Sequence, residues 1–144
     1  MPDPTMIYNW HRLDARITSS GQPSEAEIAA LAALGVRCVM NLAPHSHAKA
    51  LPGETASVAA LGMTYLHIPV DFRAPTDSDF AAFCVAMRDW AEHPVHVHYA
   101  ANYRVSAFLF RYRRDVLGHD PAQARADLDR IWTPDPIWSD FIAA

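Results

Sequence analysis

The feature that most constrains this chain is the regular alternation of short β-rich runs with longer helical segments. Residues 36–42, residues 64–70 and Val95–His98 are rich in apolar and β-branched side chains, as strands buried within a parallel sheet are. A helical segment follows each run. Because parallel strands are joined by helical crossovers, we predict an α/β fold. It would be one three-layer αβα domain over residues 1–144, with a mostly parallel central sheet.

Capping residues mark where the helices begin and end. Ser24 and Glu27 have the spacing of a capping box, and Gly35 is a stop signal for the helix that they begin. Further helices are predicted by similar signals at residues 54–61, 80–92, 104–117 and 122–132, and after Asp135-Pro136.

Composition and charge exclude several classes of protein. A chain of 144 residues with 51% hydrophobic content can form one sizeable core, and a net charge of −4 lacks the basic excess of nucleic-acid binders. Since no apolar run reaches about 18 residues, we expect a cytoplasmic protein without membrane association. Cys38 and Cys84 lie in apolar stretches and are predicted to be buried, reduced thiols. We expect no cofactor.

The segment 95–106 has the clearest chemical meaning. A strand that turns over small residues into a helix directs backbone N–H groups and the positive end of the helix dipole at one point. Such a turn binds phosphate. Arg104 stands at the start of the helix, where its guanidinium can donate two parallel hydrogen bonds to phosphate oxygens. The ligand site of such a sheet lies beyond the carboxyl ends of its strands.

This segment resembles the signature of the protein tyrosine phosphatase superfamily: a strand, His-Cys, a short loop, then Arg followed closely by Ser or Thr. The chain is more narrowly similar to small bacterial phosphatase-like proteins related to dual-specificity phosphatases. Further matches lie at residues 17–24, 35–42, 67–70 and 131–132 and at Trp138. The resemblance implies a cysteine-dependent phosphatase fold. It also implies phosphate-binding positions at Ala100, Ala101, Asn102, Tyr103 and Arg104.

Tyr99 stands where this family has its nucleophilic cysteine. Four residues separate Tyr99 from Arg104, whereas the family usually has five, and a count of five would place His98 at the cysteine position. We prefer Tyr99 because His98 then matches the family's histidine, and because bacterial relatives have shortened loops. Asn102 replaces the loop glycine, which is acceptable since asparagine tolerates left-handed backbone angles.

The resemblance also suggests the remaining catalytic positions. Asp71, which follows a predicted strand, matches the general acid of the family, with Asp77 and Asp79 as alternatives. Asp79 could instead cap a helix. Ser106 matches the hydroxyl that lies near the nucleophile, although a small residue at this position could simply pack against the sheet.

Loss of the cysteine predicts a weak or inactive phosphatase. The loop stabilises a thiolate, whose reference pKa is about 8.5, whereas that of tyrosine is about 10. Neither Cys38 nor Cys84 is expected to replace it. We expect retained weak binding of phosphate or another oxyanion, with the Tyr99 ring at the rim or turned outward. A phenol buried against the loop would leave N–H donors without partners and would close the site.

Two other functions remain open. The first is a non-catalytic module that binds a phosphorylated protein, a lipid headgroup or a nucleotide. The second is a metal hydrolase in which His96, His98, His45 and Asp71 converge. A histidine at the end of a core strand is more often hydrogen-bonded scaffolding, so we predict no metal site.

Overall fold

The structure is a computed structural model, which describes residues 2–144, and its centre is a mixed five-stranded sheet. The strands are β1 (His11–Arg12), β2 (Ile17–Ser20), β3 (Cys38–Asn41), β4 (Thr64–His67) and β5 (Val95–His98). Their order across the sheet is β1-β2-β5-β3-β4. Strand β1 pairs antiparallel with β2, and the other pairs are parallel. The predicted α/β fold with a mostly parallel sheet is confirmed.

The helices are α1 (Glu25–Leu34), α2 (Glu54–Ala60), α3 (Asp77–Asp89), α4 (Tyr103–Asp115), α5 (Pro121–Ile131) and α6 (Pro136–Ala143). Helix α1 has the predicted capping box, and Gly35 ends it with a φ of 109°, in the left-handed region. Asp79 takes part in a second capping box with Thr76 at the start of α3, so it is a helix cap. No helix within residues 2–144 has both the length and the apolar character needed to cross a bilayer.

Side chains alternate between the two faces of the sheet, and helices cover both. Val95 and Val97 of β5 point into the larger core, which also contains Phe83, Phe108 and Trp138 from α3, α4 and α6. The opposite face packs against α1 and α2 through a smaller apolar cluster. Cys38 is buried as predicted, but Cys84 is only half-buried.

The carboxyl ends of the central strands meet at one edge of the sheet. His98 of β5 is in register with Ser20 of β2 and Asn41 of β3. The turn that connects β5 to α4 therefore begins at the middle of this edge, between two neighbouring strands. This is the edge at which the sequence places the predicted phosphate-binding loop.

Candidate phosphate-binding site

The 99–104 loop carries the chain from β5 directly into α4. Asn102, the residue before α4, has a φ of 68°, which confirms the left-handed conformation expected of an asparagine here. Its side chain makes no capping hydrogen bond to the helix. Because the first N–H groups of a helix have no intrahelical acceptor, those of Tyr103 and Arg104 are suited to an anion.

Two residues that precede α1, Asn9 and Gln22, form hydrogen bonds with this loop. The sequence analysis did not predict these contacts. The side-chain amide of Asn9 donates to the Ala101 carbonyl at 2.6 Å, and the Asn102 side-chain amide donates to the Asn9 carbonyl at 2.8 Å. The Gln22 N–H donates to the Ala100 carbonyl at 3.1 Å. Since the two asparagines lie far apart in the chain, no local sequence pattern signals these contacts.

Arg104 is surrounded by aromatic rings rather than by carboxylates. Its guanidinium carbon lies 5.4–6.0 Å from five ring centroids. We call these rings the aromatic cage: Phe72, Tyr99, Tyr103, Trp132 and Trp138. The buried Nε of Arg104 has no hydrogen-bond partner within residues 2–144. Aromatic faces attract a cation without using its N–H donors, so the guanidinium can still donate to an anion.

Tyr99 points into the larger core, and the predicted rim or outward position is wrong. The residue is only 2% exposed, and its hydroxyl donates to the Val70 carbonyl at 3.0 Å. Because the phenol finds this acceptor, the ring is buried without leaving its O–H unsatisfied. Burial raises the pKa of Tyr99, although the Arg104 charge partly opposes this effect. The phenol is therefore protonated near neutral pH.

The three candidate acids lie in different environments. Asp71 is exposed and directly follows Val70, and its negative charge helps to raise the pKa of Tyr99. Asp77 pairs instead with Arg111 at 3.1 Å, and Asp79 caps α3. Asp71 is thus the candidate that the fold brings beside the loop. Whether it serves as an acid stays a prediction.

The Ser106 hydroxyl connects α4 to the end of α5. It donates to the Tyr103 carbonyl at 2.5 Å and accepts from the indole N–H of Trp132 at 2.9 Å. These bonds hold Trp132 beside Tyr103, with the two rings stacked at 5.4 Å. Ser106 therefore supports the aromatic cage. Its predicted place near a nucleophile stays a prediction.

A buried pair of hydrogen-bonded side chains lies beneath the loop, and no local sequence pattern signals it. The His98 Nε2 donates to the Glu54 carboxylate at 2.7 Å, and the Gln22 side-chain amide donates to the other Glu54 oxygen at 2.7 Å. Glu54 is 3% exposed although it begins α2. The pair joins the last residue of β5 to α2, so it fixes the position from which the loop starts.

Glu54→Gln is expected to lower the free energy of unfolding by about 3 kcal/mol near pH 7, because it replaces the buried carboxylate that accepts from His98 and Gln22 with an amide whose NH2 group would face one of these donors. Burial alone would raise the pKa of Glu54, but contacts with His98 and Gln22 lower it by more, so the net pKa lies below its ordinary 4.5. This stabilisation is present above the unfolded pKa and is lost as the pH falls through the depressed folded value.

In urea titrations, Glu54→Gln should therefore lower the free energy of unfolding strongly near pH 7 and much less near pH 3. Glu92→Gln, which removes an exposed carboxylate, is the matched control and should change stability little at either pH. An equal loss for Glu54→Gln at both pH values would contradict a charge-dependent role.

The four residues of the metal alternative do not converge. His96 lies between two hydroxyls, with Nδ1 at 2.8 Å from Thr18 Oγ1 and Nε2 at 2.8 Å from Ser20 Oγ. Burial, with the nearby His98, holds the pKa of His96 well below its usual range, so the ring is neutral scaffolding. His45 stacks on His67 with ring centroids 3.7 Å apart. Within residues 2–144, no group of three or more His, Cys, Asp or Glu side chains is arranged to hold a metal ion.

One protein family and several known proteins are similar to this chain. The family PTP-NADK, described as DSP-PTPase phosphatase fused to NAD+ kinase, matches residues 5–133. A β-lactamase hydrolase-like protein of Agrobacterium fabrum is 36% identical over 90 residues, which cover 60% of this chain and 21% of that protein. The match thus spans about a fifth of the length of this curated relative.

Solved structures have the same fold. A phosphatase-like DUF442 protein from Shewanella putrefaciens is 33% identical and superposes with a TM-score of 0.86, covering 96% of this chain and 91% of that chain. TpbA of P. aeruginosa, solved in complex with phosphotyrosine, is 21% identical with a TM-score of 0.71. That match covers 90% of this chain and 75% of that chain.

Proposed function

The chain belongs to the family of DSP-PTPase phosphatases fused to NAD+ kinase, and we propose that it binds a phosphate-containing ligand at the 99–104 loop with little or no hydrolysis. The observation that carries this proposal is Arg104, a cation at the start of α4 that has no carboxylate partner among residues 2–144.

Two features favour anion binding at this loop. The partly buried Arg104 side chain has no ion pair within residues 2–144, its buried Nε has no hydrogen-bond partner there, and aromatic faces surround its guanidinium. The α4 N-terminus has no side-chain cap, so its N–H groups and dipole are available to an anion. A phosphate oxygen that contacts both would receive charge-assisted hydrogen bonds in a partly dry environment.

Two features argue against thiol-type catalysis. Tyr99 occupies the position of the nucleophile, but its protonated hydroxyl donates to the Val70 carbonyl. Burial raises the pKa of both Cys38 and Cys84, which lie in β3 and α3 rather than in the loop. Asp71, His98 and Ser106 are the positions that the resemblance assigns to the family's other site residues. On this proposal they support binding.

The ligand class is a phosphate monoester or a related oxyanion. TpbA, which shares the fold, was solved with phosphotyrosine, and a phosphorylated protein is therefore one candidate partner. A small phosphorylated metabolite is another. The environment of Tyr99 favours a non-catalytic binding module over an active enzyme. Its phenol is not ionised, and its hydroxyl is already hydrogen-bonded to the Val70 carbonyl.

Calorimetric titration with inorganic phosphate and vanadate tests this proposal. We expect binding with a Kd on the order of 1 mM, with hydrolysis of 4-nitrophenyl phosphate near the uncatalysed rate. If the wild type binds neither anion but Tyr99→Ala does, the tyrosine closes the site. Rapid hydrolysis that survives Tyr99→Phe and chelators would instead reveal a different nucleophile.

A further inference from the structure

A cavity opens directly beside the 99–104 loop. Its volume is about 340 Å³, which is in the range of small-molecule sites. Its lining includes Ala100 of the loop, together with Tyr8, Gln22, Lys49, Leu51 and Pro52. Ala100 therefore belongs both to the loop and to the lining of this cavity.

The Tyr8 ring forms the wall of the cavity nearest to the loop. Gly21 lies between the two, and a Cβ at this residue would lie 2.8 Å from both the Ala100 carbonyl oxygen and Tyr8 Cδ2. The absence of a side chain at Gly21 therefore lets the ring approach the loop backbone. Tyr8 is nevertheless 50% exposed, so one part of its ring is accessible to a ligand.

Lys49 supplies a positive charge at the same cavity. It is the only lysine among the 144 residues, and its Nζ lies 5.4 Å from the Tyr8 ring centroid. No carboxylate within residues 2–144 forms an ion pair with it. Glu27 also lines the cavity, but its carboxylate accepts from the Ser24 N–H at 2.9 Å in the α1 capping box.

We propose that this cavity binds the part of the ligand beyond the phosphate, and that Lys49 contacts a second anionic group on it. The ligand class is thus a small organic phosphate ester with a carboxylate or a second phosphate. The inference rests on the proposed function, since the first phosphate must bind at the loop. Tyr8 would cover the carbon skeleton between the two anionic groups.

A matched pair of ligands tests this assignment. Glycerol 3-phosphate and 3-phosphoglycerate have similar three-carbon skeletons, but only the second has a carboxylate. We expect the wild type to bind 3-phosphoglycerate roughly fivefold more tightly in calorimetry, as an accessible ion pair allows. Lys49→Gln should remove this preference while leaving the affinity for glycerol 3-phosphate unchanged.

The matched control removes another exposed cation near the loop. Arg73 lies with its guanidinium 5.2 Å from the centroid of Phe72, a member of the aromatic cage, and it does not line the cavity. Arg73→Gln should keep the preference for 3-phosphoglycerate. If Arg73→Gln removes the preference and Lys49→Gln does not, the second anion binds elsewhere and the assignment is overturned.

Selective acylation gives an independent readout, because Lys49 is the only lysine. An amine-reactive ester followed by mass spectrometry should show that 3-phosphoglycerate protects Lys49 more than glycerol 3-phosphate does, with the α-amino group as the internal reference. Equal affinity and equal protection with both ligands would overturn this inference but not the proposed function. No binding of either ligand, nor of phosphate, would overturn both.

Discussion

Replacing Tyr99 with cysteine is expected to raise the rate of 4-nitrophenyl phosphate hydrolysis about a hundredfold over that of the wild type. The substitution removes the phenol that donates to Val70 and places a thiol beside the Arg104 cation and the uncapped start of α4. Both features stabilise a thiolate, so the thiol pKa should fall below its ordinary value. Only partial activity is expected, because four residues separate position 99 from Arg104, one fewer than the resemblance implies for an active loop.

Two variants separate the thiol from the space that it leaves. Tyr99→Ser removes the ring to the same extent without supplying a thiolate, and Tyr99→Phe keeps the ring but removes the hydroxyl. Both should remain inactive. Since loss of a buried ring costs about 3 kcal/mol, circular dichroism must show that each variant is folded. A folded Tyr99→Cys variant that binds phosphate but stays inactive would mean that the shortened loop misaligns the nucleophile.

Local patterns in the sequence were sufficient to predict the helices and strands that position the site. Capping boxes and glycine stops depend on neighbouring residues, so α1 began after Ser24 and ended at Gly35 as predicted. The left-handed conformation of Asn102 could likewise be predicted from the sequence, because few residue types tolerate that conformation. The predicted strand Val95–His98 coincides with β5, whereas the other two predicted strands were too long at their ends. Thus β4 stops at His67, shortly before Pro69, which has no N–H to donate to a ladder.

The orientation of the Tyr99 ring could have been predicted from the sequence, but the prediction was wrong. Val95 and Val97 point into the larger core, and the period of two continues through Tyr99, which points to the same side. The expectation of an outward ring considered only the loop donors and overlooked the Val70 carbonyl, an acceptor 29 residues away. The same alternation bears on two residues of the metal alternative. His96 and His98 point to the opposite face from Tyr99 and find partners there.

Contacts between distant segments could not have been predicted from a single sequence. Glu54 is an ordinary acidic residue at the start of a helix until the fold brings His98 within 2.7 Å of it. Asn9 likewise lies in a polar N-terminal stretch with no motif, yet its side chain donates to the Ala101 carbonyl. These contacts fix the loop at both of its ends. They depend on tertiary packing rather than on local propensity.

Arg104→Ala is expected to weaken phosphate binding about thirtyfold or more, because a charge-assisted contact to phosphate is lost from a partly buried site. The variant keeps the loop backbone, the α4 N-terminus and the Asn9 and Gln22 braces. Remaining affinity would therefore measure what the backbone N–H groups contribute alone. Calorimetry with phosphate gives the affinity. Fluorescence of Trp132 and Trp138, which lie 5.4 and 6.0 Å from the guanidinium carbon, reports on the aromatic cage.

Arg104→Lys is the matched control, since it keeps the positive charge but cannot donate two parallel hydrogen bonds to one phosphate. Its affinity should lie between those of the wild type and Arg104→Ala. Phosphate binding that is unchanged in Arg104→Ala would show that the anion binds elsewhere and that the cation serves only to pack the aromatic cage. Equal losses in Arg104→Ala and Arg104→Lys would instead show that recognition depends on the geometry of the guanidinium rather than on its charge. That second result would favour a tetrahedral oxyanion held by paired hydrogen bonds over a ligand attracted mainly by charge.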